Sequence, residues 1–412
     1  MALRLVAEAL EQKLNADHSD YQGPQAECAC LQPARYAGRK SKIFLSVLGP
    51  LCLQRAYYHC PACQHGFYPR DRTWGLESGS LSPGVIRMVS AVGASVSFEE
   101  GSQLLEELAD LKVDPKQVQR TAEAIGQAID RDEHLNSAPL SPADPPPTMY
   151  LGIDGTGVPL RRQELQGRPG KQVDGSAKTR EVKLCVVWSA ESRDEEDRPV
   201  RDAGSVSYSA AIESAATLET QPVCSEFYQR VVREATRRGL VKAVRLVVLG
   251  DGAPWIWNLS DELYPAAVQI LDLWHAKEYF SVVGKELYGA GSDKAVAWIQ
   301  RRWDELDAGR FEALLRAVTR HASHNEAARK LLERLKVNRH RMDYPRFKRQ
   351  GLCTSSGVVE AGCKVVIGTR LKRAGMHWSV SGANAITALR CCRLSGRFQD
   401  FWERRSELQR AA

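Results

Sequence analysis

Asp154 and Asp251 each follow a short apolar run and sit among small neighbours, in Asp154-Gly155-Thr156-Gly157 and Gly250-Asp251-Gly252. An aspartate at the carboxyl end of a strand in an open α/β sheet stands where ligands bind, and glycine neighbours let a substrate or metal approach the backbone. Glu360 follows Ser355-Ser356-Gly357, and Ser356 is a natural N-cap that would put the glutamate in the first turn of a helix. Two aspartates and a glutamate drawn together would bind two divalent cations about 3.5–4 Å apart, the geometry that stabilises the attacking and leaving oxygens of an in-line phosphoryl displacement. Hard carboxylate ligands favour Mg²⁺ or Mn²⁺. Each residue also has a plainer reading, since Asp-Gly is turn chemistry and a glutamate early in a helix suits the helix dipole.

A second group is made of thiols. Cys28-x-Cys30 and Cys60-x-x-Cys63 are two paired knuckles separated by residues 42–59, which have strand character and a Gly49-Pro50 turn. Four thiolates on two knuckles joined by a hairpin can close a tetrahedral Zn²⁺ site, with free thiols as the other state and His59 and His65 as substitute ligands. The other seven cysteines (Cys52, Cys185, Cys224, Cys353, Cys363, Cys391 and Cys392) stand in apolar or helical contexts and read as ordinary small core residues. Arg35, Arg39, Lys40, Lys42, Arg55 and Arg70 make the knuckle region basic and suited to DNA.

The elements needed to position these residues can be followed along the chain. Residues 1–14 read as an amphipathic helix and not as a signal peptide. Ser82-Pro83, the capping box Ser97 to Glu100, and Asp114-Pro115 each open a helix, giving three short helices that resemble a helix-turn-helix or a plain helical packing module. Residues 136–147 hold five prolines and read as a linker. Beyond it come strands at 149–154, 182–189, 244–249 and 267–271, a helix at about 224–239, and a flexible loop at 163–180. A long helical stretch from 276 to about 350 then precedes the Glu360 helix. The implied boundaries are 1–75 (helix and zinc-ribbon-like region), 76–135 (helical), 136–147 (linker), 148–275 (first part of an α/β sheet), 276–350 (helical insertion) and 351–412 (second part with a basic end).

The chain has 412 residues, 43% of them hydrophobic, enough for several cores, which excludes disorder and collagen-like architecture. No apolar run spans a membrane, so a soluble, cytoplasmic protein is expected. The formal charge of +7 is mild, yet residues 361–412 alone carry ten basic and three acidic residues, a distribution that suits a polyanion or a solvated helix face.

The order strand-Asp154, strand-Asp251, helical insertion, helix-Glu360 resembles the RNase H-like DDE transposases. Gly152-Ile153-Asp154-Gly155-Thr156-Gly157-Val158-Pro159, Val248-Leu249-Gly250-Asp251-Gly252-Ala253-Pro254-Trp255, Asp272-Leu273-Trp274-His275-Ala276 and Ser356-Gly357-Val358-Val359-Glu360-Ala361-Gly362-Cys363-Lys364, running on to Gly375-Met376-His377-Trp378, resemble the ISKra-type insertion-sequence transposases of bacteria. The resemblance runs in order from about Cys28 to Trp402. It implies an α/β, RNase H-like catalytic core interrupted by an all-helical insertion, with Asp154, Asp251 and Glu360 holding two Mg²⁺ or Mn²⁺ ions. It further implies cleavage of transposon ends, strand transfer by the 3′-hydroxyl into target DNA, Asp272 and His275 as active-site support, and an assembly of at least two copies acting on terminal repeats at the nucleoid. Arg370, Lys372, Arg373 and His377 are then expected to hold DNA phosphates and Trp378 to stack on a displaced base. Two alternatives stand beside this: a domesticated, zinc-containing DNA-binding protein without catalysis, and a haloacid-dehalogenase-like phosphatase. The second lacks two aspartates its motifs require, the positions being Gly152 and Trp255.

Overall fold

The computed structural model describes residues 2–76, 79–136, 146–168, 170, 172, 175–215 and 225–411. It is a mixed α/β protein that divides into two compact units, one of residues 1–129 with 396–412 and one of residues 130–395. Most of the expected linker, residues 137–145, lies outside the described residues, as does Cys224. Among the described residues no helix is long and apolar enough to cross a membrane.

In the first unit, β1 (Gln25–Glu27), β2 (Pro33–Ser46), β3 (Gly49–His59) and β4 (Gly66–Phe67) form an antiparallel sheet in that order. The β2–β3 hairpin turns at Val47-Leu48, with Ser46 opposite Gly49, so Pro50 is already in the strand, where the sequence suggested the turn itself. Gly49 supplies the positive φ of +110° with which β3 begins. Helix α1 (Ala2–Ala16) lays Ala7, Leu10 and Leu14 against Phe44, Leu51 and Leu53. Next come α2 (Pro69–Trp74), α3 (Pro83–Ser95), α4 (Phe98–Ala109) and α5 (Pro115–Leu135). Ser82 caps α3, the Ser97–Glu100 capping box closes on itself at α4, and the Asp114 carboxylate accepts from the Lys116 N–H at the start of α5. The last helix, α16 (Phe398–Ala411), belongs to this unit: it packs on α2, and Arg87 of α3 donates to Gln399 and stacks on Phe398. The stretch 351–412, expected as one piece, is therefore divided at residue 395 by this aromatic packing.

The second unit is built on a five-stranded sheet in the order β11-β10-β5-β6-β9. Strands β5 (Thr148–Pro159), β6 (Thr179–Ser189) and β9 (Ser207–Ala211) form an antiparallel meander, and β10 (Arg245–Gly250) and β11 (Val268–Leu271) run parallel to β5. A small hairpin, β7 (Ser192–Arg193) with β8 (Pro199–Val200), interrupts the meander. Helices α6 (Glu226–Arg237) and α7 (Pro254–Leu263) make the crossovers that parallel pairing requires. The sequence reading missed β9 because Ser207-Tyr208-Ser209-Ala210-Ala211 has no β-branched residue; burial on every side chain, under α6 and α15 (Val380–Leu394), holds it in the sheet.

Helices α8 (Leu273–Tyr288), α9 (Asp293–Asp307), α10 (Phe311–Ala322) and α11 (Glu326–Asn338) pack on one another after β11 and lead through α12 (Tyr344–Arg349) to α13 (Gly357–Gly362). Helix α13 runs into a six-residue π-helix, Cys363–Gly368, and then α14 (Thr369–Leu371). The wider π turn is braced by Arg390 of α15, whose Nε donates to the Val366 carbonyl at 2.6 Å and whose Nη2 donates to the Val365 carbonyl and the Thr369 hydroxyl.

Candidate active site and cysteine cluster

Parallel register brings three aspartates into one row. Ile153 of β5 is level with Gly250 of β10, and Gly250 with Leu271 of β11, so the next residues, Asp154, Asp251 and Asp272, follow side by side on strands about 4.8 Å apart. Strand β5 does not end at Asp154, as the sequence suggested. Its β10 partner stops there, but β6 continues to pair with it as far as Pro159 opposite Thr179.

The three carboxylates have different surroundings. Asp154 is half-buried and accepts from the Gly155 N–H at 2.6 Å and from the Cys363 thiol at 3.2 Å. Burial holds its pKa above the ordinary value; the Gly155 N–H and the thiol pull it down, and the charge of Asp251 adds to the rise. Asp251 caps its own loop by accepting from the Ala253 N–H at 2.9 Å, while Tyr279 of α8 donates to its carbonyl at 2.6 Å. Gly252 is required here: its φ is +97°, and a side chain would run into Leu271 and the Tyr279 hydroxyl. Asp272 is fully buried and faces inward, accepting from the His275 N–H at 2.7 Å and from the Ser356 N–H. With the Leu273 N–H bound to the Thr354 carbonyl at 2.9 Å, it ties the start of α8 to the loop before α13. Asp272 thus braces the backbone between α8 and the loop before α13.

Glu360 reaches the same region from α13, which packs on β5 and β6. Gly152 and Gly362 allow that approach. A Cβ on Gly152 would overlap Val359 and Trp188, and one on Gly362 would lie 3.0 Å from both Leu184 and Tyr208. The exposed Glu360 carboxylate is 3.9 Å from Nε2 of His275, and with Asp272 these two gather within 4.8 Å of one another. Asp154, Asp251 and Glu360 do not gather that tightly. None of those three forms an ion pair with lysine or arginine among the described residues, and His275 is the basic side chain that stands beside Glu360.

Cys363 is the residue that sequence reasoning missed, having assigned it to the core. It is only part-buried, and its thiol, pushed up in pKa by burial and by the Asp154 charge, donates into the site. Its spacing of three from Glu360 was the available signal, since i and i+3 share a helix face.

The expected DNA-contacting residues separate. Lys372, Arg373 and His377 are exposed, and Lys372 donates to the Thr156 hydroxyl. Arg370 is fully buried, with its guanidinium 5.1 Å from the Trp378 ring, so it cannot touch a phosphate. Trp378 is 5% exposed and its indole N–H donates to the Leu371 carbonyl at 3.0 Å, which removes it as a base-stacking platform. Arg390 and Arg397 are buried as well. Three of the ten basic residues of the C-terminal stretch are therefore interior. The same correction applies near the cysteines, where Arg55 is buried against Asp71, Arg70 against Asp20, and Arg39 pairs with Asp20 at 2.9 Å.

Cys28, Cys30, Cys60 and Cys63 do come together, with all four sulfurs within 4.8 Å; Cys28 to Cys63 and Cys30 to Cys60 are each 3.6 Å. His59 and His65 are not part of the group. Each knuckle closes with a backbone bond, Leu31 N–H to the Cys28 carbonyl and Cys60 N–H to the His65 carbonyl, and each second cysteine is followed by a residue at positive φ, Leu31 at 63° and Gln64 at 59°. The N–H groups of Cys63 and Ala62, working against burial, hold the Cys60 thiol down at about 7. The His65 N–H pulls Cys63 down too, but the crowding of the other three sulfurs and burial outweigh it and push Cys63 up to about 12. Four sulfurs gathered this closely on two knuckles can hold a metal ion. The chain matches no protein-family model and no curated protein.

Proposed function

We propose that the chain is an insertion-sequence transposase of the DDE type, similar to the ISKra-type enzymes, with an RNase H-like core into which α8–α12 are inserted. The observation that carries this reading is the register row: an antiparallel meander β5-β6-β9 continued by parallel β10 and β11, with Asp154 and Asp251 level on adjacent strands and Glu360 delivered onto β5 by α13. Three carboxylates with no lysine or arginine partner among the described residues fit hard divalent cations, and Asp154, Asp251 and Glu360 are the residues that would hold Mg²⁺ or Mn²⁺. Such ions, when bound, supply Lewis-acid stabilisation to the oxygens exchanged in phosphodiester displacement.

The chain's own groups orient those carboxylates. Gly155 N–H and the Cys363 thiol fix the two oxygens of Asp154, Ala253 N–H fixes one of Asp251, and His275 stands beside Glu360. The same site would serve hydrolysis at a transposon end and attack by the freed 3′-hydroxyl, since both are in-line displacements at phosphorus. In the first unit, Zn²⁺ on the four cysteines would join the two knuckles of a zinc-ribbon-like hairpin. The phosphatase alternative needs an aspartate at 152, where Val359 and Trp188 leave no room for any side chain.

Replacing Asp251 by Asn is expected to abolish Mg²⁺-dependent cleavage of the element's terminal repeats while leaving DNA binding intact. Undiminished cutting by this variant would remove Asp251 from the mechanism. A wild-type chain that binds but never cuts would favour the domesticated binder.

A further inference from the structure

Beyond Asp154, strand β5 leads away from the carboxylates into a second feature. Its end, the loop toward β6 and the segment before α15 enclose a broad open cleft of about 930 Å³, lined among others by Leu160, Arg162, Arg168, Gln172, Lys178 and His377. Among the described residues, no acidic side chain lines it. Arg162, Arg168 and Lys178 are exposed and make no ion pair among the described residues. Arg168 also crowds Arg180, whose pKa is lowered by burial first and by the Arg168 charge second, with Glu164 offsetting the fall only in part. Like charges held together with so little balancing acid among the described residues call for an anion from outside.

The wall opposite the loop is built. Trp378 N–H donates to the Pro159 carbonyl at 3.1 Å, Arg161 N–H donates to the Trp378 carbonyl at 2.9 Å, and the Val380 N–H donates to Glu164 at 3.3 Å. The residue expected to stack on a base is therefore the anchor that presents His377, its neighbour, to the cleft. A small apolar ligand is a poor occupant, because such sites are enclosed and mostly apolar. Exposed cations without an ion-pair partner among the described residues, gathered at an open cleft, suit a chain of phosphates.

We propose that this cleft is a binding site for the phosphodiester backbone of DNA, held by Arg162, Arg168, Lys178 and His377. The inference rests on the transposase reading, in that the strand held here is the one presented to the carboxylates. Six residues of extended chain separate Asp154 from Leu160, about 20 Å, which corresponds to about six base pairs of duplex. The cleft thus grips DNA about six base pairs from the scissile phosphate, and Lys372, donating to Thr156, lies along the way.

The test uses the full chain in EDTA and fluorescence anisotropy of labelled terminal-repeat duplex across a salt series. Arg162→Glu, Arg168→Glu and Lys178→Glu, singly and together, are compared with Lys294→Glu, an exposed cation of α9 away from the cleft. Melting curves check that each variant folds, and the corresponding Gln variants provide milder neutralisation. The expected result is weaker binding in the cleft variants alone, with the slope of log affinity against log salt flattening by about 0.9 for each phosphate no longer neutralised. Duplexes reaching less than about six base pairs past the cut are expected to lose this sensitivity. Unchanged affinity and slope in the folded triple variant would overturn the inference, as would an equal loss in Lys294→Glu. Asp251→Asn separates the two proposals: if it stops cleavage while the triple variant binds normally, only the cleft proposal falls, and if cleft-dependent binding persists in a chain that never cleaves, only the catalytic reading falls.

Discussion

Position 152 tolerates only glycine, because Val359 and Trp188 occupy the space a Cβ would need. That single absence of a side chain lets α13 lie on β5 and sets how near Glu360 comes to the aspartates. Gly152→Ala is expected to destabilise the protein by about 1–3 kcal/mol, the usual cost of overpacking, and to lower the proposed cleavage activity further by pushing Glu360 outward. Val359→Ala in the same chain removes one of the two clashes, so urea unfolding of the single and double variants should give a favourable coupling energy. Strict additivity would show that the helix does not rest on this contact. Neither the clash nor the contact of Cys363 with Asp154 was legible along the chain, although the spacing of Cys363 from Glu360 was: the residues in each pair are about two hundred positions apart in sequence, and only the packing of α13 and the π-helix on β5 brings them together.

At the scale of elements, most starts and stops were legible, because caps are local chemistry. Ser82, Ser97, Asp114 and Ser225 each accept from a backbone N–H of the helix they open. The π-helix after Glu360 was not legible, since its stability depends on the distant Arg390. The turn after β6 shows the same dependence on distant groups. Asp202 accepts from the hydroxyls of Ser189 and Ser192 and from the N–H groups of Glu191 and Ser192. Burial alone would raise its pKa, but these four bonds outweigh it and bring it down to about 2 from 3.8. A carboxylate with a depressed folded pKa contributes stability above its unfolded value and loses it as pH falls toward the folded one. Asp202→Asn should therefore melt below the wild type at neutral pH, with the gap closing between about pH 4 and pH 2. A gap independent of pH would mean that the amide's geometry, and not the charge, matters.

For the whole molecule, the chain forms two units with separate cores, and the two candidate metal sites fall in different ones: the cysteines in the first and the carboxylates in the second. A metal that binds only the folded form stabilises the unit that contains its ligands. Purified protein is expected to contain zinc by elemental analysis. Stripping it should lower one calorimetric transition and leave the other in place, and Cys60→Ser should reproduce that selective loss. Protein purified without zinc, or a chelator effect shared equally by both transitions, would count against the cysteine site. The net charge of +7 is a poor guide at this scale, because Arg55, Arg70, Arg370, Arg390 and Arg397 are all interior.

The sequence by itself determined the identities and local settings of the chemical groups: the Asp251-Gly252 turn, a short helix bearing Glu360, which forms without the side-chain cap expected of Ser356, and two cysteine knuckles. These depend on neighbours within a few residues, where the energetics of caps, turns and short apolar runs are decided. Tertiary structure decided which of them meet. Parallel register aligned Asp154, Asp251 and Asp272, burial turned Asp272 into a brace and Arg370 and Trp378 into struts, and strand β5 continued past Asp154 because β6 went on pairing with it. A basic or aromatic side chain carries no mark in the sequence of which side of a helix will be covered, so its choice between solvent and core waits on the packing of elements far away in the chain.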